Sequence, residues 1–97
     1  MARFISLISL TQRGEEAVKN TVERANAFRA EAEKMGAEVK HVYWTLGNYD
    51  GVLIFEAPDD QTATSLMINL GSKGNVRTQT LVAYDSGEME SVLNRVS

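Results

Sequence analysis

The sequence predicts an α+β fold in which strands and helices follow the order β-α-β-β-α-β, with one short helix after the last strand. Four separate stretches show the alternation and the β-branched or aromatic residues that are typical of strands. Two stretches between them carry apolar residues three or four positions apart, as amphipathic helices do. The chain has 97 residues, of which 43% are hydrophobic, which is enough for one domain around a single small core.

The first strand and the first helix occupy the N-terminal part of the chain. Phe4–Leu10 alternates apolar residues with serines and predicts a strand. Gln12–Met35 has one apolar side and one charged side, which predicts a helix that ends at Gly36. Within it, the sequence Asn-Thr-Val-Glu at residues 20–23 resembles a capping box. We therefore expect a short helix to break and restart there.

Two paired strands, a second helix and a last strand follow. Strands are predicted over Glu38–Leu46 and Val52–Ala57, and the connection between them is short enough for a hairpin, so they should pair antiparallel. Pro58 suits the first turn of the second helix, and the two aspartates after it suit the positive end of the helix dipole. Asn75–Tyr84 is the fourth strand. The resulting four-stranded antiparallel sheet has the ferredoxin-like arrangement.

The second helix and the C-terminal tail each carry an apolar stripe. The stripe of the second helix consists of Ala63, Leu66, Met67 and Leu70. Ile68 lies off this stripe and hints at a second contact surface. In the tail, residues 85–97, Asp85 and Glu88 form a plausible capping box for one short amphipathic helix. Its stripe consists of Met89, Val92, Leu93 and Val96. We predict a domain over residues 1–84 and a helical tail over residues 85–97.

Both faces of the predicted sheet contain apolar residues. In the first strand Phe4 and Ile8 alternate with Ile5 and Leu7, and Val52–Ala57 is almost continuously apolar. Two helices cover only one face of such a sheet, so the other face needs a second layer. A second copy of the same sheet, related by a two-fold axis, can supply this layer. We therefore predict a homodimer or a higher homo-oligomer. The alternative is a monomer whose tail helix covers the sheet.

In the second strand, the same alternation sets Val42, Trp44 and Leu46 against Val39 and Tyr43. This pattern places Val39 and Tyr43 together on one face of the sheet. Val42 and Trp44 then belong to the other face, where Trp44 is more typical of a core residue than of a cofactor platform.

Composition excludes several function classes. The net charge is −3, with ten basic and thirteen acidic residues spread along the chain, so nucleic acid is not an expected partner. The absence of cysteine removes disulfides, thiolate catalysis and thiolate metal sites. The N-terminal segment lacks the pattern of a signal peptide, and no stretch approaches the length of a membrane span. We expect a cytoplasmic protein that has no membrane partner and no cofactor.

The central stretch YWTLGNYDGVLIFEAPDD, residues 43–60, resembles the GYD-domain family, which is named for a Gly-x-Tyr-Asp-like hairpin motif. Here the motif consists of Gly47, Tyr49 and Asp50. The flanking sequences AFRAEAEKMGAEVKH and LGSKGNVRTQTLVAY resemble the family as well, whereas the tail after Tyr84 lies outside the resemblance. The family is grouped with the dimeric α+β barrels, and the resemblance therefore implies a paired-sheet dimer. It implies no biochemical role.

The predicted hairpin turn is the first candidate site. Gly47 and Gly51 permit positive φ, and Asp50 can accept a hydrogen bond from a nearby backbone N–H. In the structural interpretation Asp50 fastens the turn and the Tyr49 ring folds over a neighbouring strand or subunit. In the functional interpretation both side chains line the mouth of a pocket between sheet and helices. We favour the structural role, because Asp beside Gly is a common turn pair.

Three further side chains complete the set of ligand-binding candidates. His41 is the only histidine, and it shares one side of the second strand with Tyr43. No second histidine or cysteine is available to complete a metal site, so we predict no metal and favour a hydrogen-bonded structural role for His41. Arg77 can hold an anion, or it can pair with Asp50 or with a glutamate across an interface.

Three functions remain open at this stage. The protein is a homo-oligomer that binds a small molecule, or a cofactor-independent or haem-handling monooxygenase-like enzyme, or a structural assembly module. The enzyme hypothesis is an analogy at the level of the fold. It requires that all five candidates converge on one cavity. These candidates are His41, Tyr43, Tyr49, Asp50 and Arg77. We prefer the small-molecule-binding role.

Overall fold

The computed structural model describes residues 1–97 and confirms the predicted order of elements. Boundaries differ from the sequence-based ones by one or two residues, as is usual for element ends. The elements are β1 (Ala2–Leu10), α1 (Gln12–Glu16), a 3₁₀ turn (Val18–Asn20), α2 (Thr21–Lys34), β2 (Glu38–Trp44), β3 (Gly51–Ala57), α3 (Asp60–Ser72), β4 (Val76–Ala83) and α4 (Ser86–Leu93).

The four strands form one antiparallel sheet in the order β2-β3-β1-β4. β2 and β3 pair as the predicted hairpin, and β1 lies between β3 and β4. The two central strands are therefore the two with the most continuous apolar sequence.

The core lies between one face of the sheet and the helices α2 and α3. Phe4 of β1 and Phe55 of β3 are directly paired, and their rings stack with centroids 5.2 Å apart. Phe28 of α2 and Leu66 of α3 close over them, and all four side chains are at least 95% buried. In α3, Met67 and Leu70 pack at the edge of this core, whereas Ile68 is 66% exposed, as its place off the stripe predicts.

The first helical segment breaks where the sequence predicts, but by a different mechanism. α1 ends at Glu16, a 3₁₀ turn follows, and α2 begins at Thr21. The Asn20 side chain makes no capping hydrogen bond, so the predicted capping box is wrong. Arg24 instead donates from Nη1 to the carbonyl oxygen of Ala17 over 2.7 Å, which ties α2 to the preceding turn.

The start of α3 also differs from the sequence-based prediction, by one residue. Asp59 is the N-cap, and its carboxylate accepts a hydrogen bond from the backbone N–H of Thr62 over 2.7 Å. Pro58 therefore precedes the cap and is not in the first turn. The hydrogen bonds from Thr62 lower the pKa of the Asp59 carboxyl below its ordinary value.

A β-bulge in β2 corrects the predicted alternation of that strand. The pairing with β3 shifts between Val39 and His41, so Lys40 is the extra residue. Val39 consequently pairs with Phe55 and lies on the helix-covered face, where it packs against the core. The sequence-based alternation placed Val39 on the other face beside Tyr43, because a simple period of two contains no bulge.

The tail forms α4 as predicted, but it does not cover the sheet. Asp85 and Glu88 form the predicted capping box, and Arg3 pairs with Glu88 over 2.7 Å and with Asp85 over 3.6 Å. The backbone N–H of Glu88 lowers the pKa of the Asp85 carboxyl, and the hydrogen bond to Glu88 raises the pKa of Arg3. No residue of α4 is buried, and Leu93 is 54% exposed. The tail-covered monomer is therefore not the arrangement of this chain.

Candidate functional site

The sheet face opposite the helices, here called the open face, carries apolar side chains in successive rows. One row crosses all four strands as Tyr43, Val52, Leu7 and Gln79, and the next crosses them as His41, Ile54, Ile5 and Leu81. Tyr43 and Leu81 are more than half exposed, and the four residues on the central strands are partly exposed. The predicted apolar character of this face is present, and no element of the chain covers it.

Four of the five candidate residues lie on the open face. The rings of His41 and Tyr43 stack with centroids 5.7 Å apart, and the Tyr43 hydroxyl lies 3.4 Å from His41 Nδ1. Tyr49 donates its hydroxyl to Gln79 Oε1 over 3.1 Å, so its ring reaches from the hairpin turn toward β4. Arg77 lies on β4 opposite Ser9, is exposed, and does not pair with Asp50. Its pairing with a glutamate across an interface stays a prediction.

Asp50 performs a different task at the edge of the sheet. Its Oδ2 accepts a hydrogen bond from the backbone N–H of Leu10 over 2.7 Å. Its own backbone N–H donates to the carbonyl oxygen of Ile8 over 2.8 Å, and its carbonyl oxygen accepts from Thr45 over 3.0 Å. The residue therefore ties the β2–β3 hairpin to the end of β1. This is the geometry expected if the Asp50 carboxylate fastens the turn.

The two glycines of the turn have different reasons to be glycine. Gly47 has φ of 114°, a conformation that residues with a side chain rarely adopt. Gly51 has no positive φ, but a Cβ atom there would come within 3.0 Å of the Tyr43 carbonyl oxygen. Only Gly47 thus meets the expectation of positive φ, and Gly51 permits a close approach of β3 to β2.

A cavity of about 150 Å³ lies on the helix side, between the sheet and α2. Most of its lining side chains are apolar, and its exposed lining residues, which include Trp44, Asp50 and Lys73, mark the opening to solvent. Tyr43 contributes only its main chain, because its ring lies on the open face. The lining residues are Ile8, Leu10, Thr21, Arg24, Ala25, Ala27, Phe28, Val42, Tyr43, Trp44, Asp50, Gly51, Leu53, Leu70, Lys73, Asn75 and Val76.

Trp44 lies at the opening of this cavity and is 51% exposed, so it is not the core residue that the sequence predicts. Its Nε1 donates to Thr21 Oγ1 over 3.0 Å and joins the end of β2 to the start of α2. The two residues are 23 positions apart, and sequence reasoning missed this contact. The only signal for this contact in the sequence was that Trp44 shares a face of the strand with Val42. In the structure this face lies toward α2.

The charged groups around the cavity are engaged with each other or with the backbone. Lys73 pairs with Glu31, and this hydrogen bond lowers the pKa of the Glu31 carboxyl. Arg24 is held by the carbonyl oxygen of Ala17, and Asp50 holds Leu10. The opening therefore has no strong excess of either charge.

The sheet itself separates the candidates that the enzyme hypothesis needs together. Asp50 lines the cavity on the helix side, whereas His41, Tyr49 and Arg77 have their side chains on the open face. No group of three or more His, Cys, Asp or Glu side chains is placed to hold a metal ion. The five residues do not form one catalytic constellation in this arrangement.

The fold is that of a small ferredoxin-like α+β domain, with one uncovered apolar face and a cavity of about 150 Å³. The protein-family model described as "GYD domain" matches residues 4–93 of this sequence, and the chain belongs to this family. The match extends past Tyr84, so the helix α4 lies within the region that the family shares. The division of the chain at residue 84 stays a prediction.

One relative carries a descriptive name. It is the "Glutamine synthetase and cystathionine beta-lyase binding protein" of Thermus thermophilus. It is 39% identical over 90 residues, which cover 92% of this chain and 95% of the relative. No solved structure matches the chain. None of the helices combines the length and the apolar character needed to cross a membrane.

Proposed function

We propose that this protein is a homo-oligomeric binding protein, which pairs with a second copy through the open face and binds a different protein through its remaining apolar surface. The observation that carries the proposal is the open face itself. Its rows of apolar side chains are continuous across the two central strands. α4 does not cover them, and Tyr49 of the β2–β3 turn reaches over the face toward Gln79. Large exposed apolar patches mark interaction sites in soluble proteins.

A second copy fits the open face because the centre of the face is apolar and its charged residues lie toward the strand ends. Arg3 and Glu56 lie opposite each other in the register of β1 and β3, Glu38 lies beside Glu56 on β2, and Arg77 lies toward the other end of β4. Arg3 is already paired with Glu88 and Asp85 of the same chain. A two-fold axis that brings the apolar rows of two copies together leaves these charges at the rim of the interface.

The helix α4 supplies the surface for a different protein. Its apolar residues stay partly exposed and do not belong to the hydrophobic core. These residues are Met89, Val92 and Leu93, and the exposed Val96 follows just after the helix. The relative with 39% identity is named for binding two enzymes. That name supports a protein partner for this chain as well, and an amphipathic helix is a common means of docking into an apolar groove.

Leu7→Arg tests the pairing of the sheets. Leu7 is central on the open face and lies outside the buried core, so the variant should keep its circular dichroism spectrum and lose self-association. Analytical ultracentrifugation of the wild type should show a dimer or a larger oligomer, and the variant should sediment as a monomer. Val22→Arg is the matched control, because Val22 is an exposed apolar residue of α2, 56% exposed, and lies away from the open face.

Two outcomes would contradict the pairing. A monomeric wild type would refute it directly, and an oligomer that tolerates Leu7→Arg would place the interface elsewhere. For the different partner, size-exclusion chromatography of mixtures with glutamine synthetase or with cystathionine β-lyase should show co-migration with one of them. If both enzymes elute separately from this protein, the relative's named partners do not transfer to this chain.

A small-molecule-binding role is the second candidate function. The cavity between the sheet and α2 supports it, because it is apolar inside and has a carboxylate at its opening. The cavity lies on the opposite side of the sheet from the open face. Binding of a small molecule there is therefore compatible with sheet pairing.

A further inference from the structure

We infer that the cavity between the sheet and α2 binds a neutral molecule of about one ring, which carries a hydroxyl or N–H donor, as phenol does. This inference rests on the small-molecule-binding role proposed above and adds the chemical class of the ligand. It follows from the volume of the cavity, its apolar lining and the hydrogen-bonding state of the charged groups at its opening.

The volume limits the ligand to a single ring. The cavity measures about 150 Å³, and apolar side chains such as Phe28, Val42 and Leu53 line its interior. An engineered apolar cavity of that size in another protein binds benzene and stays dry when it is empty. Ligands of drug size occupy about 300–1,000 Å³. The part of a ligand that is enclosed is therefore limited to about one ring, because growth further inward would displace Phe28 or Leu53, both of which belong to the core.

The charges at the opening favour a neutral ligand with a donor. Lys73 is paired with Glu31, and Arg24 uses Nη1 to hold the carbonyl oxygen of Ala17, so both cations already have partners within the chain. Asp50 lines the cavity and uses Oδ2 to hold Leu10, whereas its Oδ1 accepts no hydrogen bond within the chain. An anionic ligand would meet this carboxylate, whereas a hydroxyl or N–H group can donate to it.

Trp44 reports on occupancy of the cavity. It is the only tryptophan of the chain, it lines the opening, and its indole is held by Thr21 of α2. A ring inserted behind it changes the polarity around the indole. The fluorescence of Trp44 should therefore change in a saturable manner when the cavity fills.

The test is a titration of the purified protein with phenol, followed by Trp44 fluorescence. We expect saturation with a dissociation constant on the order of 1 mM, which is typical for so small a ligand. Ala25→Leu should abolish the saturable change, because Ala25 lines the cavity and the added side chain fills it. Ala30→Leu is the matched control on the exposed side of α2 and should bind phenol as the wild type does.

Several outcomes would overturn the inference. These are a titration that never saturates, phenol binding that survives Ala25→Leu, and binding of benzoate as tight as that of phenol. If Ala25→Leu fails to fold, Val42→Leu fills the same space from β2 and should weaken phenol binding. Native mass spectrometry of gently purified protein separates the two levels of the proposal. A bound molecule together with a negative phenol titration refutes only the ligand class, whereas a ligand-free protein with a negative titration refutes the small-molecule role.

Discussion

Replacing Asp50 by alanine removes the acceptor that holds the hairpin to the end of β1. The lost contact is one hydrogen bond of 2.7 Å from the backbone N–H of Leu10 to Oδ2. A hydrogen bond to a charged group contributes about 1.5–3 kcal/mol and a neutral one about 0.5–1.5 kcal/mol. Because Asp50 is exposed and Leu10 is only partly buried, water can replace the acceptor, and we expect a loss of about 1 kcal/mol. For a domain of this size, that loss lowers Tm by roughly 4–8 °C.

The assay is thermal unfolding followed by circular dichroism at one fixed protein concentration, since Tm of an oligomer depends on concentration. Asp50→Asn keeps a side-chain oxygen acceptor and should lose less stability than Asp50→Ala. Glu33→Ala is the matched control, because Glu33 is an exposed acid of α2 without a hydrogen bond or ion pair of its side chain. If Asp50→Ala shifts Tm no more than Glu33→Ala does, the carboxylate does not stabilise the hairpin, and the structural interpretation of Asp50 is wrong.

Two further predictions concern the core and the carboxylates whose pKa values are lowered. Phe55→Ala should lower the free energy of unfolding by about 3–5 kcal/mol, because Phe55 is fully buried against Phe4; a loss below about 1 kcal/mol in urea denaturation would contradict this packing. The pKa values of Glu31, Asp59 and Asp85 are lowered in the folded protein, so their contribution to stability is present above their ordinary values and is lost as the pH falls through the lowered ones. Tm should therefore fall between about pH 5 and pH 2, and a Tm that stays constant over this range would refute the assignment.

Tyr49 and Asp50 are neighbours in the chain but act on opposite sides of the sheet. The ring of Tyr49 lies over the open face and reaches Gln79, whereas the carboxylate of Asp50 faces β1 and the cavity. One short motif thus contributes to both proposed surfaces. Variants of Tyr49 are expected to affect sheet pairing, and variants of Asp50 to affect hairpin stability and the opening of the cavity.

Features that depend on local sequence were predicted well. The order of strands and helices, the β2–β3 hairpin and the capping box of α4 are all set by residues a few positions apart. The exposed position of Ile68 follows from helical periodicity in the same way. Local rules failed at Asn20, whose side chain makes no capping hydrogen bond although its residue type suits a cap. They also failed where two adjacent residues can begin a helix, as at Pro58 and Asp59.

The sequence by itself determined that both faces of the sheet carry apolar residues, because side-chain direction alternates along each regular stretch of a strand. Only the tertiary structure decided that Lys40 bulges and moves Val39 to the other face, since a bulge is a property of the pairing between β2 and β3. The same holds for the cavity. Its boundary joins Thr21 to Trp44 and Asp50 to Leu10, and such distances between elements depend on how the helices settle on the sheet.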